Sequence, residues 1–157
     1  MPSKILRTCL IGSLVLLNAC SGRTREPVFA SVKTTPVAAD LARVYFYRAF
    51  EPYESLARPA IYLDGRSLAV SEPGGVLFRD VEPGDHQISV FSSGIYSNQS
   101  KNILLRPGDT LYARIESLRS WYQGFTWDGD TFVVSRVSES EAEAEMASLR
   151  YVPNKGS

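Results

Sequence analysis

Residues 61–70, IYLDGRSLAV, hold an Asp-Gly pair between two runs of β-branched, aromatic and aliphatic residues. A two-residue connection of this composition suits a tight hairpin turn with positive φ, since glycine enters that region freely and aspartate tolerates it. The flanking sequence repeats the theme. Upstream, RVYFYR (43–48) alternates, with Val44 and Phe46 expected on one face and Tyr45 and Tyr47 on the other. Downstream, GVLFRDV (75–81) reads as a strand, and EPGDHQISVF (82–91) rises from a Pro-Gly turn. RPGDTLYARI (106–115) does the same, with Leu111, Ala113 and Ile115 sharing one face and Tyr112, Arg114 and Glu116 the other. Two such units are too few for a solenoid and reflect shared turn chemistry. The stretch 121–137, with Asp128-Gly129 inside it, suggests a last hairpin. Short strands at this spacing predict an all-β sandwich or barrel over residues 41–137, rather than alternating βαβ units.

The period changes at the C-terminal end. Ser138 and Glu141 form a capping box, and Ala142, Met146 and Leu149 fall on one helical stripe, predicting an amphipathic helix over 138–151. Glu139, Glu141, Glu143 and Glu145 crowd its first half, Arg150 lies near its end and Pro153 stops it, in keeping with the helix dipole. The stripe is narrow, so the helix is expected to dock on the sandwich rather than build its core.

Seventeen cations balance seventeen anions over 157 residues, which leaves no field to hold nucleic acid. The leading segment is set apart from the rest. Lys4 and Arg7 precede an apolar stretch, Cys9 to Leu17, of signal-peptide length and too short to span a bilayer as a helix. Removal of residues 1–19 takes Cys9 with it, so Cys20 becomes the lone cysteine and no internal disulfide can form. Leu17, Asn18, Ala19 and Cys20 resemble the lipobox of bacterial lipoproteins, with Asn18 departing from the small or β-branched residue usual at its place. The resemblance implies cleavage between Ala19 and Cys20 and acylation of Cys20, a membrane partner through two or more acyl chains. It also implies passage to the outer membrane, periplasmic face, since Ser21 is not aspartate. Residues 20–40 lack a lasting period and read as a flexible tether, reaching on the order of 25 Å.

A search for chemistry returns little. His86, the sole histidine, shares parity with Ile88 and Val90 and reads as a turn-proximal side chain satisfied by a backbone hydrogen bond, with no second ligand at useful spacing. Asp109, Asp128 and Asp130 suit turns better than a calcium loop. No nucleophile elbow, phosphate-binding loop or dinucleotide fingerprint occurs, so no catalytic residue, metal ligand or cofactor is assigned. Trp121, Tyr122, Phe125 and Trp127 would form a stacking platform for a sugar ring or a partner side chain. Alternatively, the shared parity of Trp121, Phe125 and Trp127 turns them to the core, the more usual fate of large aromatics. Tyr45, Tyr47, Tyr62 and Tyr112 would look outward if the aliphatic residues point in.

The lipobox together with RVYFYR, IYLDGRSLAV, VEPGDHQISV and DTLYARI resembles small bacterial lipoproteins of the DUF2846 type, a domain of unknown function, over about residues 40–137. The Asp-Gly hairpin followed by Val-x-Pro-Gly-x-His-x-Ile is also similar to PEGA and transthyretin-like domains. That likeness implies a small antiparallel Greek-key-like sandwich of about seven or eight strands, and fold analogy assigns no activity. The expected function is a lipid-anchored, non-catalytic binding or structural module of the cell envelope, with an envelope protein or a glycan as partner. The alternatives are a glycan-acting hydrolase and an accessory subunit that adds an edge strand to a larger assembly.

Overall fold

A computed structural model describes residues 26–51, 56–93, 99–118 and 131–153. The strands are β1 (Ala42–Arg48), β2 (Ala60–Leu63), β3 (Arg66–Val70), β4 (Gly75–Val81), β5 (Gly84–Val90), β6 (Ser100–Leu105), β7 (Thr110–Ser117), β8 (Phe132–Val137) and β9 (Arg150–Tyr151). One helix, α1 (Glu139–Met146), lies between β8 and β9. The strands form two open sheets, in the orders β8-β7-β1-β4-β9 and β3-β2-β5-β6. The fold is therefore an all-β sandwich with a C-terminal helix.

The inner faces of the two sheets bury one apolar core. It includes Val44 and Phe46 from β1, Ile61 from β2, Ile88 and Val90 from β5, and Leu111, Ala113 and Ile115 from β7. Alternation makes this legible, because every second residue of a strand points the same way. The 61–70 hairpin forms as expected: Asp64 (φ 51) and Gly65 (φ 72) both take positive φ, and Leu63 pairs with Arg66 across the turn.

The first sheet is not purely antiparallel. β1 runs antiparallel to β4 but parallel to β7, and β4 runs parallel to β9. Parallel neighbours need long crossovers, and here the chain between β1 and β7 passes through all four strands of the second sheet as well as β4. As a central strand β1 is buried along its whole length. Its outer face, with Tyr45 and Tyr47, joins Val76, Tyr112, Ala142, Met146 and Leu149 in a second core. The tyrosine face expected to look outward is thus covered by α1 and by the N-terminal segment. Tyr45, Tyr47 and Tyr112 lie beneath this cover, and Tyr62, on the second sheet, stays partly exposed.

The helix is shorter than the 138–151 span that its stripe suggested. Ser138 caps it, its hydroxyl accepting the Glu141 N–H at 3.4 Å. After Met146 the chain turns, placing Leu149 in the outer core and Arg150 and Tyr151 alongside Gly75 and Val76. Sheet pairing at a free edge satisfies backbone groups that one more helical turn would have left at a frayed end.

Candidate functional site

Part of the segment read as a tether is built into the fold. Pro27 to Phe29 lies antiparallel to β9: the Phe29 N–H donates to the Leu149 carbonyl at 2.7 Å, and the Tyr151 N–H donates to the Pro27 carbonyl at 2.8 Å. The Phe29 ring then stands edge-on to Tyr45, with centroids 5.8 Å apart, and Tyr45 stacks on Tyr112 at 5.3 Å. The Arg43 guanidinium bonds the Thr35 carbonyl at 2.7 Å. From Glu26 onward the chain belongs to the domain, and only residues 20–25 remain between Cys20 and it.

Glu26 enters at a particular end of the sandwich. Its carboxylate lies 3.2 Å from Arg150, whose other nitrogen donates to the Pro73 carbonyl at 3.0 Å. Gly75, the partner of both Arg48 and Arg150, sits at this end. A Cβ at Gly75 would come within 2.9 Å of the Glu72 side chain, so the close approach requires glycine. Ala49, Phe50, Leu56, Pro73, Leu149 and Arg150 line a shallow groove here. Arg48 is buried, lying 4.8 Å from the Phe132 ring centroid and donating to the Ala57 carbonyl at 2.8 Å. These contacts fasten the ends of β1 and β8 to the chain leading into β2.

Among the described residues seven large apolar side chains stay exposed: Val28, Phe50, Leu56, Val70, Phe91, Leu104 and Leu118. All but Leu104 lie at the end where Glu26 enters. Phe50 follows β1 and packs on Gly74; Leu56 lines the same groove; Val28 bridges to Arg150. Val70 pairs with Ala60, and the Ala60 carbonyl accepts the Phe91 N–H. Leu118 follows β7 beside Thr131, and the next residue, Phe132, donates its N–H to Ser92, next to Phe91. Val70 ends β3, Phe91 and Leu118 directly follow β5 and β7, and Phe50 and Leu56 lie between β1 and β2, so no single stretch of sequence displays the group.

The opposite end is polar and built from turns: Asp64-Gly65, Glu82-Pro83 and Arg106 to Asp109. Here His86 lies between two oxygen acceptors, with Nδ1 2.7 Å from an Asp64 carboxylate oxygen and Nε2 2.7 Å from the Glu82 carbonyl. Two acceptors call for two N–H donors, a demand that the imidazolium meets. Desolvation pulls the His86 pKa down, but the bonds to Asp64 and Glu82 outweigh it and the net shift is upward. Asp109, expected in a turn, accepts the Arg106 N–H at 2.9 Å.

Carboxylates of α1 are committed to the sheet below. Glu145 accepts from Tyr47 at 2.6 Å and from Arg114 at 2.9 Å, Glu141 accepts from Arg114 at 2.7 Å, and Glu139 accepts from Tyr112 at 3.0 Å. Burial, reinforced by these acidic partners, raises the Tyr47 and Tyr112 pKa values well above the ordinary phenol range. Among the described residues no group of three or more His, Cys, Asp and Glu is placed to hold a metal, and no helix is long and apolar enough to cross a membrane.

Of the residues singled out in the sequence, Ala19, Cys20, Trp121, Tyr122, Phe125, Trp127, Asp128 and Asp130 lie outside the described residues. The apolar end is the feature that sequence reasoning missed, its members spread from Val28 to Leu118. No curated relative and no solved structure matches the chain. A family model described as a protein of unknown function, DUF2846, matches residues 38–126, from just before β1 to beyond β7. With more than half of its length matched, the chain belongs to the DUF2846 family of proteins of unknown function.

Proposed function

We propose that the protein is a lipid-anchored component of a bacterial cell envelope, held by Cys20 on the periplasmic face of the outer membrane and acting as a non-catalytic binding or structural module. The observation that carries this reading is Leu17-Asn18-Ala19-Cys20 at the close of a segment with Lys4 and Arg7 ahead of an apolar run. That cleavage would leave Cys20 as the lone cysteine supports it too, since an exported free thiol is exposed to oxidation unless it is blocked. Ser21, where an aspartate would signal retention, supports the outer membrane as destination. A non-catalytic role is supported by the use of the α1 carboxylates to fasten the helix and of both His86 nitrogens to fasten a turn. Labelled palmitate fed to cells expressing wild type and Cys20→Ala tests the anchor: label is expected in the wild type alone, and equal labelling overturns the reading.

A second reading, an accessory subunit completing a neighbouring sheet, draws support from β3 and β6, the outermost strands of the second sheet. An edge strand offers a row of backbone donors and acceptors to an added strand. Co-purification of one partner in constant ratio after mild detergent extraction is its expected sign, and a monodisperse single chain overturns it.

A further inference from the structure

We propose that the end of the sandwich carrying Phe50, Leu56, Val70, Phe91 and Leu118 is a membrane-contact surface, seated in the interfacial layer of the bilayer that holds the Cys20 acyl chains. The inference rests on the lipid-anchor reading above and adds to it an orientation and a second point of contact.

Chain length is the first support. Between Cys20 and Glu26 a fully extended backbone spans no more than about 20 Å. Glu26 is fixed to Arg150, and Arg150 to Pro73, so this short leash ends at the apolar end of the domain. An acylated Cys20 lies at the bilayer surface, which keeps that end close to the membrane and turns the Asp64, Glu82 and Arg106–Asp109 turns away from it.

Chemistry is the second. Leu56 is 67% exposed, Phe50 57% and Phe91 55%, an arrangement that costs hydration free energy wherever the end faces water. Several exposed apolar side chains gathered at one end mark a surface that meets something apolar. Among the described residues of this end Arg58 pairs with Glu72 and Arg150 with Glu26. The contact is therefore chiefly apolar, and it does not depend on anionic lipid.

The lone cysteine makes the test clean, because an acylated Cys20 presents no thiol and an introduced cysteine takes a nitroxide alone. The full acylated chain is reconstituted in vesicles of phosphatidylethanolamine and phosphatidylglycerol, labelled in turn at Leu56→Cys, Phe91→Cys and, at the polar end, Arg66→Cys. Relaxation by dissolved oxygen is compared with relaxation by a water-soluble nickel chelate. The expected result is an oxygen-to-nickel ratio severalfold higher at 56 and 91 than at 66, and unchanged when phosphatidylcholine replaces phosphatidylglycerol. Mass spectrometry of the same preparation reads Cys20. Acylated Cys20 with 56 and 91 as nickel-accessible as 66 overturns this proposal and leaves the anchor standing, whereas unmodified Cys20 overturns both. Labels at 56 and 91 that are immobilised yet closed to oxygen also overturn it, assigning the end to a protein neighbour or a second copy.

Discussion

His86 and Asp64 show how little a residue's type says until its partners are known. The histidine was expected to be satisfied by a backbone bond, and the Glu82 carbonyl supplies one; the Asp64 carboxylate, twenty-two residues away, was not foreseen. Asp64 has its pKa lowered first by the Gln87 N–H and then by His86, while the His86 value is raised on balance. The signs define a window. The Asp64 contribution is complete above its ordinary value of 3.8 and is lost as pH falls through the lowered one; the His86 contribution is complete below 6.5 and is lost as pH rises through the raised one. The melting temperature should therefore decline as pH is raised from 6.5, and His86→Gln should flatten that decline; an unchanged slope would assign it to another group. Arg43 makes the contrasting case. Its side chain is 5% exposed, paired with Asp80 at 2.6 Å and stacked 4.3 Å over Phe78. Asp80→Asn leaves that guanidinium buried without its carboxylate, a loss of about 2 kcal/mol given that Asp80 is itself partly in water. Urea denaturation should show the midpoint falling with the slope unchanged.

At the scale of elements, legibility followed range. The β2–β3 hairpin and the faces of β1 and β7 were readable because turn chemistry and period-two alternation are written within ten residues of one another. The parallel β1–β7 pair was not, since it joins segments more than sixty residues apart through hydrogen bonds between backbones that look alike everywhere. β9 escaped for a related reason. Two residues carry no period, and the Ala142, Met146, Leu149 stripe that pointed to a longer helix is satisfied instead by a turn that delivers Leu149 to the same outer core. The N-terminal addition was hidden by composition: Pro, Ser and Thr in 21–40 suggest a coil, but Phe29, the one aromatic residue of that stretch, packs edge-on to Tyr45. Phe29→Ala should cost about 1–2 kcal/mol, below the roughly 3–5 kcal/mol of a fully buried aromatic because this side chain is only half buried. Hydrogen exchange localises the effect. The amides of Phe29 and Tyr151 should exchange faster in the variant, while those of the β2–β5 pair keep their protection; uniform acceleration would mean that the segment is integral to global stability rather than a docked strap.

For the whole molecule the informative property is polarity along the strands, with turns of Asp, Glu, Arg and Gly at one end and exposed Phe, Leu and Val at the other. Of the proposed contacts, the one at Cys20 rests on a four-residue motif in the sequence alone, whereas the apolar end is visible only in the fold, which assembles it from residues far apart in the chain. If the proposed orientation holds, anchor and apolar end act as two linked contacts with one membrane, and the short tether is what makes the second contact effective. Linkage of this kind has a calculable dependence on length, since the local concentration of a tethered surface falls roughly as the −3/2 power of linker length once the linker exceeds its span. Extending the six residues 20–25 to about twenty-four with a Gly-Ser insert should then lower the ratio of seated to unseated domains about eightfold. The oxygen-to-nickel ratio at Leu56→Cys should move part of the way toward the aqueous value seen at Arg66→Cys, with acylation of Cys20 unaffected. A ratio that does not move would mean that the apolar end holds the bilayer without help from the tether. A complete collapse to the aqueous value would mean that the tether alone keeps the end near lipid, and that Phe50, Leu56 and Phe91 contribute no affinity of their own.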